Sequence, residues 1–238
     1  MMGVTVSTPK YAALAIEAVR RWKAFTGLPC EVIHCCDSKA YQVKMELDQR
    51  MPAEPCIFFD ADWWLLRPLS ITWPREAWVA VHDAGVFHPG AFCQGDCERF
   101  GLDAALYFNS GFFAWDNALK THRRVFEQAR NFEHEQWSGK AADAMHDWGD
   151  QTPLNVGVQR AGVPLSLLPS AYNFCLHFVR GGCVPFIPRV VHAVHAAGFP
   201  LRHKMRHLKA AAELLSYEPE PMRPEAMAFH HALTFECR

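Results

Sequence analysis

Pro55-Cys-Ile-Phe-Phe-Asp60-Ala-Asp62-Trp-Trp64 is the stretch on which the reading of this chain turns. Residues 55–59 form an apolar run with no polar alternate positions, the pattern of a strand covered on both faces rather than one. Strands of that kind belong to parallel sheets sandwiched by helices, and such sheets collect ligands at their carboxyl edge. Asp60 and Asp62 stand where the strand would end. Side chains alternate along a strand, so carboxylates at i and i+2 can share one side. Two carboxylates held together repel unless a cation or strong donors compensate. A hard divalent ion does so and can reach onward to phosphate oxygens. The competing reading is a strand-end turn in which Asp60 bonds the loop and Asp62 is solvated.

Upstream, Gly3-Val-Thr-Val-Ser-Thr8 alternates as a strand does, and Cys30-Glu-Val-Ile-His34 reads as a second one. Between them, Ala12, Ala15, Ile16, Val19 and Trp22 recur at helical spacing over residues 10–25, closed by Gly27-Leu-Pro. Residues 38–50 read as a helix carrying Tyr41, Val43, Met45 and Leu47. This β-α-β-α-β order predicts an α/β fold with a mostly parallel central sheet, helices on both faces and right-handed crossovers.

Further strands are expected at 77–82, 107–114 and 189–195. A helix over 117–132 would bury Ala118, Val125, Phe126, Ala129 and Phe132 and be capped by Asp116; another runs from Asp150 to Gly162. Residues 83–105, rich in Gly, Cys and Phe, read as a long loop or mobile insertion. The tail from Glu218 is Pro-rich, so one domain over 1–217 and an irregular tail over 218–238 are expected.

A chain of 238 residues with 50% hydrophobic and 21% charged residues has the composition of one globular domain rather than a disordered segment. Lys and Arg number 24 against 25 Asp and Glu, a net charge of −1 that gives bulk nucleic-acid binding no electrostatic basis. No apolar run reaches the roughly 18 residues of a membrane span, and the N-terminus lacks a signal-type core. Nine cysteines, an odd number at irregular spacing, point to free thiols in a reducing compartment. A cytoplasmic protein, at most peripheral to a membrane, is the expectation. Cys93 and Cys97 with His88 suggest zinc, but no second pair completes four ligands.

Four stretches in fixed order resemble glycosyltransferase family 8, a GT-A-fold group that includes glycogenin and bacterial lipopolysaccharide galactosyltransferases. They are Val4-Thr-Val-Ser-Thr-Pro-Lys-Tyr11; Phe58-Phe-Asp60-Ala-Asp62 with Leu65-Leu-Arg-Pro68; Tyr107-Phe-Asn109-Ser-Gly111-Phe-Phe; and Asp150-Gln151 followed by Asn155. His195-Ala-Ala-Gly198 is a fifth, looser match. The resemblance implies a metal-dependent transfer of a hexose, with retention, from a nucleotide-diphosphate sugar such as a UDP-hexose to a hydroxyl acceptor (a saccharide, lipid-linked glycan or protein).

It also implies roles for individual residues. Asp60, Asp62 and His195 would hold Mn²⁺ or Mg²⁺; an imidazole among carboxylates favours the borderline Mn²⁺. His192, three residues earlier, is the rival ligand, although only His195 has the Gly three residues on. Thr8, Tyr11, Lys44 and Ala61 would contact the nucleotide, with the Tyr11 ring stacking on the base or else serving as a core contact. Asn109 and Gly111 would face the donor sugar, and Asp150 and Gln151 the anomeric carbon, although Asp150 also suits an N-cap. Gly198 would lie against the phosphates. The family's phosphate-binding Lys is replaced here by Leu201, which leaves Arg202 or Lys204 to take its part. Pro9 stands where family members often carry Asp. These two departures support a rival reading, a catalytically silent nucleotide-sugar-binding protein. A nucleotidyltransferase is disfavoured because Ser7-Thr-Pro-Lys10 holds no glycine.

Overall fold

In the computed structural model, which describes residues 1–69, 73–87, 92–137, 149–176 and 190–215, the central layer is a six-stranded sheet. Its strands are β1 (Met2–Ser7), β2 (Cys30–His34), β3 (Pro55–Phe59), β5 (Trp78–His82), β6 (Phe108–Asp116) and β7 (Leu165–Leu168), in the order β2-β1-β3-β6-β5-β7. β1 pairs in parallel with β2 and β3, and β5 with β7, whereas β6 runs antiparallel to both of its neighbours. A mostly parallel α/β sheet is therefore what the chain forms.

Both faces are covered, as the unbroken apolarity of β3 requires. Ile57 and Phe59 point into one core with Leu14, Ala18 and Trp22 of α1 (Ala12–Thr26) and Leu208 of a C-terminal helix. Cys56 and Phe58 point into the other, against Val125, Phe126 and Ala129 of α5 (Lys120–Trp137) and Leu154 and Val158 of α6 (Gln151–Ala161). All nine residues of β6 are buried. Rings stack in both cores, Phe58 on Phe113 of the neighbouring strand at 5.0 Å and Trp22 of α1 on Phe59 at 5.0 Å. Each such aromatic pair adds about 1 kcal/mol beyond its buried area.

Several sequence expectations are corrected. Ile16 is 71% exposed, because the α1 stripe runs through Leu14, Ala15, Ala18 and Trp22 instead. The helix expected over 38–50 is two short ones, α2 (Ala40–Met45) and α3 (Leu47–Arg50), broken at Glu46. The helix expected from 117 starts at Lys120: the Asn117 amide is fastened to the carbonyls of Met51 and Pro52, and Asp116 Oδ1 accepts from Ala118 N in a preceding turn. Residues 83–105 are not simply a loop. They contain α4 (Phe92–Phe100), whose Cys93 and Cys97 pack with Val86 and Tyr107 in a small core of their own. The tail, the expected 217/218 boundary and His88 lie outside the described residues.

A second, three-stranded sheet positions the site. β4 (Trp63–Leu65), β8 (Phe174–Cys175) and β9 (Ala193–His195) lie in the order β4-β9-β8, and α7 (Leu201–Leu215) follows. Of the described residues in the strand expected over 189–195, Ala193–His195 take part. Trp63 and Trp64 are fully buried, so neither offers a face to a sugar.

Candidate active site

At the end of β3 the chain turns tightly. Asp60 N donates to Gly111 O at 2.9 Å, and Trp63 N donates back to Asp60 O at 2.9 Å. The chain re-enters as β4, whose antiparallel register sets Trp63 opposite His195, and Ala196 N donates to Asp62 O at 3.1 Å. Two β-ladders thus bring together residues 133 or more positions apart in sequence. His195 Nε2 lies 3.5 Å from Asp60 Oδ2 and 3.5 Å from Asp62 Oδ1. The three ligand-type atoms are within 4.8 Å of one another, and no other such group occurs among the described residues.

Gly111 makes room for this arrangement. A Cβ at that position would stand 2.1 Å from His195 Cε1, so the glycine of the Asn-Ser-Gly motif is needed by the imidazole. Cys175 Sγ lies 3.8 Å from His195 Nδ1, on the far side of the ring from the carboxylates. Nε2 is therefore the nitrogen presented to the site. The rival His192 stacks on Tyr172 at 4.5 Å and turns Nδ1 to the Pro68 carbonyl, away from the pair.

Two buried lysines neutralise the carboxylates. Lys44 Nζ is 3.1 Å from Asp60 Oδ1 and also ion-pairs with Asp150 Oδ2. Lys204 Nζ pairs with Asp62 Oδ2 and donates to Ala196 O at 2.9 Å. Three carboxylates face two ammonium groups, and a proton on His195 balances the count. Burial works against that proton, but Asp62 and Asp60 outweigh it and hold the imidazole well above its ordinary range. Burial likewise resists ionisation of Asp62, yet His195 and Lys204 pull it well below the usual carboxylate range. Asp150 is pushed up, because burial and nearby Asp60 exceed the help from Lys44.

Asp150 does not cap α6 with its side chain; the carboxylate is spent on Lys44. Gln151 is locked by a buried polar network. Its Nε2 donates to Asp83 Oδ2 at 2.7 Å, while its Oε1 accepts from Asn109 Nδ2 at 3.0 Å and Ser110 N at 3.3 Å. Asn109 Oδ1 accepts from Asn173 Nδ2 at 2.8 Å and Gly111 N at 3.0 Å. Next to Gln151, Thr152 donates to the buried Asp96 of α4 and meets the Tyr107 hydroxyl at 2.9 Å.

The remaining candidates divide. The Tyr11 ring centroid lies 5.7 Å from Lys204 Nζ, beside the carboxylates, and also packs against the core. Ala61 is buried in the core between the two aspartates. Gly198 adopts φ +75° in the turn that leads from β9 to α7. Of the two candidate cations, Lys204 comes to the site, whereas the exposed Arg202 bonds its neighbour His203. Thr8 lines a cavity of about 450 Å³ with Ser7, Pro9, Ala12, His34, Cys35 and Cys36. Asp83, Asn173, Cys175 and Asp96 are not singled out by the sequence. For Asp83 a signal exists: it follows the apolar strand Val79-Ala-Val81 much as Asp60 follows β3.

No family model matches the chain, and no curated protein does. Solved structures do. A galactosyltransferase, LgtC, in complex with donor and acceptor sugar analogues superposes with a TM-score of 0.61 at 16% identity, over 92% of this chain and 98% of that one. The fold is that of the GT-A glycosyltransferases. A glycosyltransferase involved in glycosylation of the major capsid of PBCV-1 matches with a TM-score of 0.56 at 11% identity, over 88% and 98% of the two chains. Mouse xyloside xylosyltransferase 1 in its apo form gives 0.53 at 13% identity, over 82% and 97%. This GT-A chain therefore spans nearly the whole of each. None of its described helices is long and apolar enough to cross a membrane.

Proposed function

We propose that this GT-A protein is a metal-dependent glycosyltransferase that moves a hexose from a nucleotide-diphosphate sugar, in the first instance a UDP-hexose, to a hydroxyl acceptor with retention. The observation that carries the reading is the convergence of Asp60, Asp62 and His195 at the carboxyl edge of the sheet. The residues fit a divalent ion: two carboxylates and one imidazole nitrogen are the donor set of Mn²⁺, and the Lys204 ammonium against Asp62 marks the spot as one that takes a cation. Bound there, the ion supplies Lewis acidity that offsets charge on the departing nucleoside diphosphate.

The chain's own residues account for the rest. Lys204, which stands beside Asp62, would pair with a phosphate oxygen of the donor, the part left open by Leu201. Thr8 and Tyr11 offer a hydrogen-bonding edge and a ring face to the base. Asn109 and Gln151 are held by Asp83 and Asn173 in one orientation, so a sugar hydroxyl meets prepositioned groups rather than mobile ones. Asp150, adjacent to Gln151 and paired with Lys44, would face the anomeric carbon together with Gln151. A cytoplasmic location fits the free thiols.

The test is a panel of nucleotide sugars assayed for hydrolysis and transfer with Mn²⁺, Mg²⁺ and chelator. Turnover should require the ion and fall by about 100-fold or more in Asp62→Asn, the scale of losing one electrostatic stabiliser. Donor binding without turnover under every condition would favour the silent-binder reading instead.

A further inference from the structure

The cavity of about 450 Å³ lies where the carboxyl ends of β1 and β2, adjacent and parallel, diverge. One wall is Ser7, Thr8, Pro9 and Ala12; the other is His34, Cys35 and Cys36. Cys35 N is tied to Ser7 O at 3.1 Å, which closes the floor between the strands. Apolar walls with a few polar edges suit a flat heteroaromatic ring. If the donor is a nucleotide sugar, a reading on which the thiol role depends, this is where the base enters, and two neighbouring thiols form part of its wall.

The two thiols differ. Cys36 is exposed, with its Sγ 3.4 Å from Ser38 Oγ. The Ser38 hydroxyl and the Lys39 backbone N–H favour its thiolate and lower its pKa. Cys35 is partly covered, and burial raises it. Burial pushes Cys30, Cys56 and Cys93 up to about 12, Cys97 to about 11, and Cys175 upward as well. Since the thiolate is the nucleophile, Cys36 is the reactive one among the described cysteines.

We propose that Cys36 is a thiol-modification site at the mouth of the base cavity, where a mixed disulfide excludes the nucleotide and a bound nucleotide shields the sulphur. The co-reactant is a low-molecular-weight disulfide. The Cys36 thiolate attacks one sulphur of it, an Sγ–S bond forms, the old S–S bond breaks, and the second half leaves as a thiolate. Cys36 is oxidised and the leaving half reduced; the Cys36 proton goes to solvent. A second thiol reverses the step by the same exchange.

The experiment uses the full chain and the aryl disulfide 5,5′-dithiobis(2-nitrobenzoate), with release of its coloured thiolate followed in time and the labelled peptide mapped. Cys36 should react first, and UDP with Mn²⁺ at about ten times its Kd should slow that reaction about tenfold, since about nine-tenths of sites are then covered. Calorimetry on the singly labelled protein should show UDP binding weakened about tenfold or more and restored by dithiothreitol. In Cys36→Ser, reagent treatment should leave the UDP affinity at that variant's own untreated value. Unchanged UDP affinity after labelling, or no protection by UDP, overturns the thiol control and leaves the transferase reading standing. If the untreated protein binds none of UDP, CDP, GDP and ADP, both readings fail together.

Discussion

The His195 imidazole fills the space that a side chain at Gly111 would occupy, with Cε1 2.1 Å from where its Cβ would be. A glycine on a buried central strand thus sets the position of a candidate metal ligand on a different sheet.

Gly111→Ala should therefore act at a distance. The methyl group must push either β6 or the imidazole aside, an overpacking that costs about 1–3 kcal/mol in urea unfolding. Because the ring is displaced from Asp60 and Asp62, Mn²⁺ affinity measured by calorimetry should drop about 10–100-fold, the range seen when a ligand's supporting partner is lost.

Ion binding should be strongly pH-dependent. In the metal-free protein, burial disfavours the charged imidazole but Asp62 and Asp60 hold His195 protonated well above its ordinary range. An ion at Nε2 must displace that proton. Mn²⁺ affinity should accordingly rise about tenfold per pH unit until His195 has lost its proton in the free protein, and then level off. Electron paramagnetic resonance of free Mn²⁺ across roughly pH 6–9 reads this directly; a flat profile would mean that His195 is not a ligand.

Lys44 is buried between Asp60 and Asp150, with Phe58 beneath its ammonium at 4.4 Å. Lys44→Met keeps the length and removes the charge, leaving Asp150 buried without its partner. Unfolding at neutral pH should become about 2–4 kcal/mol easier, somewhat under the cost of breaking a fully buried pair because Asp60 is partly exposed. The deficit should shrink as pH falls, since a protonated Asp150 needs no counter-ion.

Glu133, close enough to Asp150 to feel its charge, offers a further check. Burial, then Asp150, pushes its carboxyl up to about 7 from an ordinary 4.5. The folded state holds this proton more tightly than the unfolded one, so Glu133 favours folding below pH 4.5, and that contribution is lost as pH rises to 7. Glu133→Gln should stabilise the protein at about pH 8 by about 1–2 kcal/mol, a full shift of this size being reduced by solvent at its half-buried position. At about pH 4 the variant should match the wild type in thermal denaturation.

How much of this is open to a reader of the sequence differs from element to element. The run Cys56–Phe59 announces a doubly covered strand because apolarity at consecutive positions has no other use in a sheet, and Asp60 and Asp62 inherit their place at its carboxyl edge. The helix over 151–161 is equally plain. Ile16 looks like a core residue because several apolar positions on α1 compete for one stripe, and only the neighbouring sheet chooses among them. Residues 83–105 look like loop since α4 buries little on its own; its stability comes from Val86, Tyr107 and the bond from Thr152 to Asp96.

Local order, then, is written in the sequence: which segments are strands, which face water on neither side, and which residue types could grip a cation. The tertiary structure alone decides that Lys204 rather than Arg202 reaches Asp62, that Gly111 yields its space to His195, and that Asp83 and Asn173 hold Gln151 and Asn109. Periodicity is a property of neighbours along the chain. These contacts join positions 64 to 142 residues apart, set by the register of β4 on β9 and by the packing of α6 and α7, which no local pattern encodes.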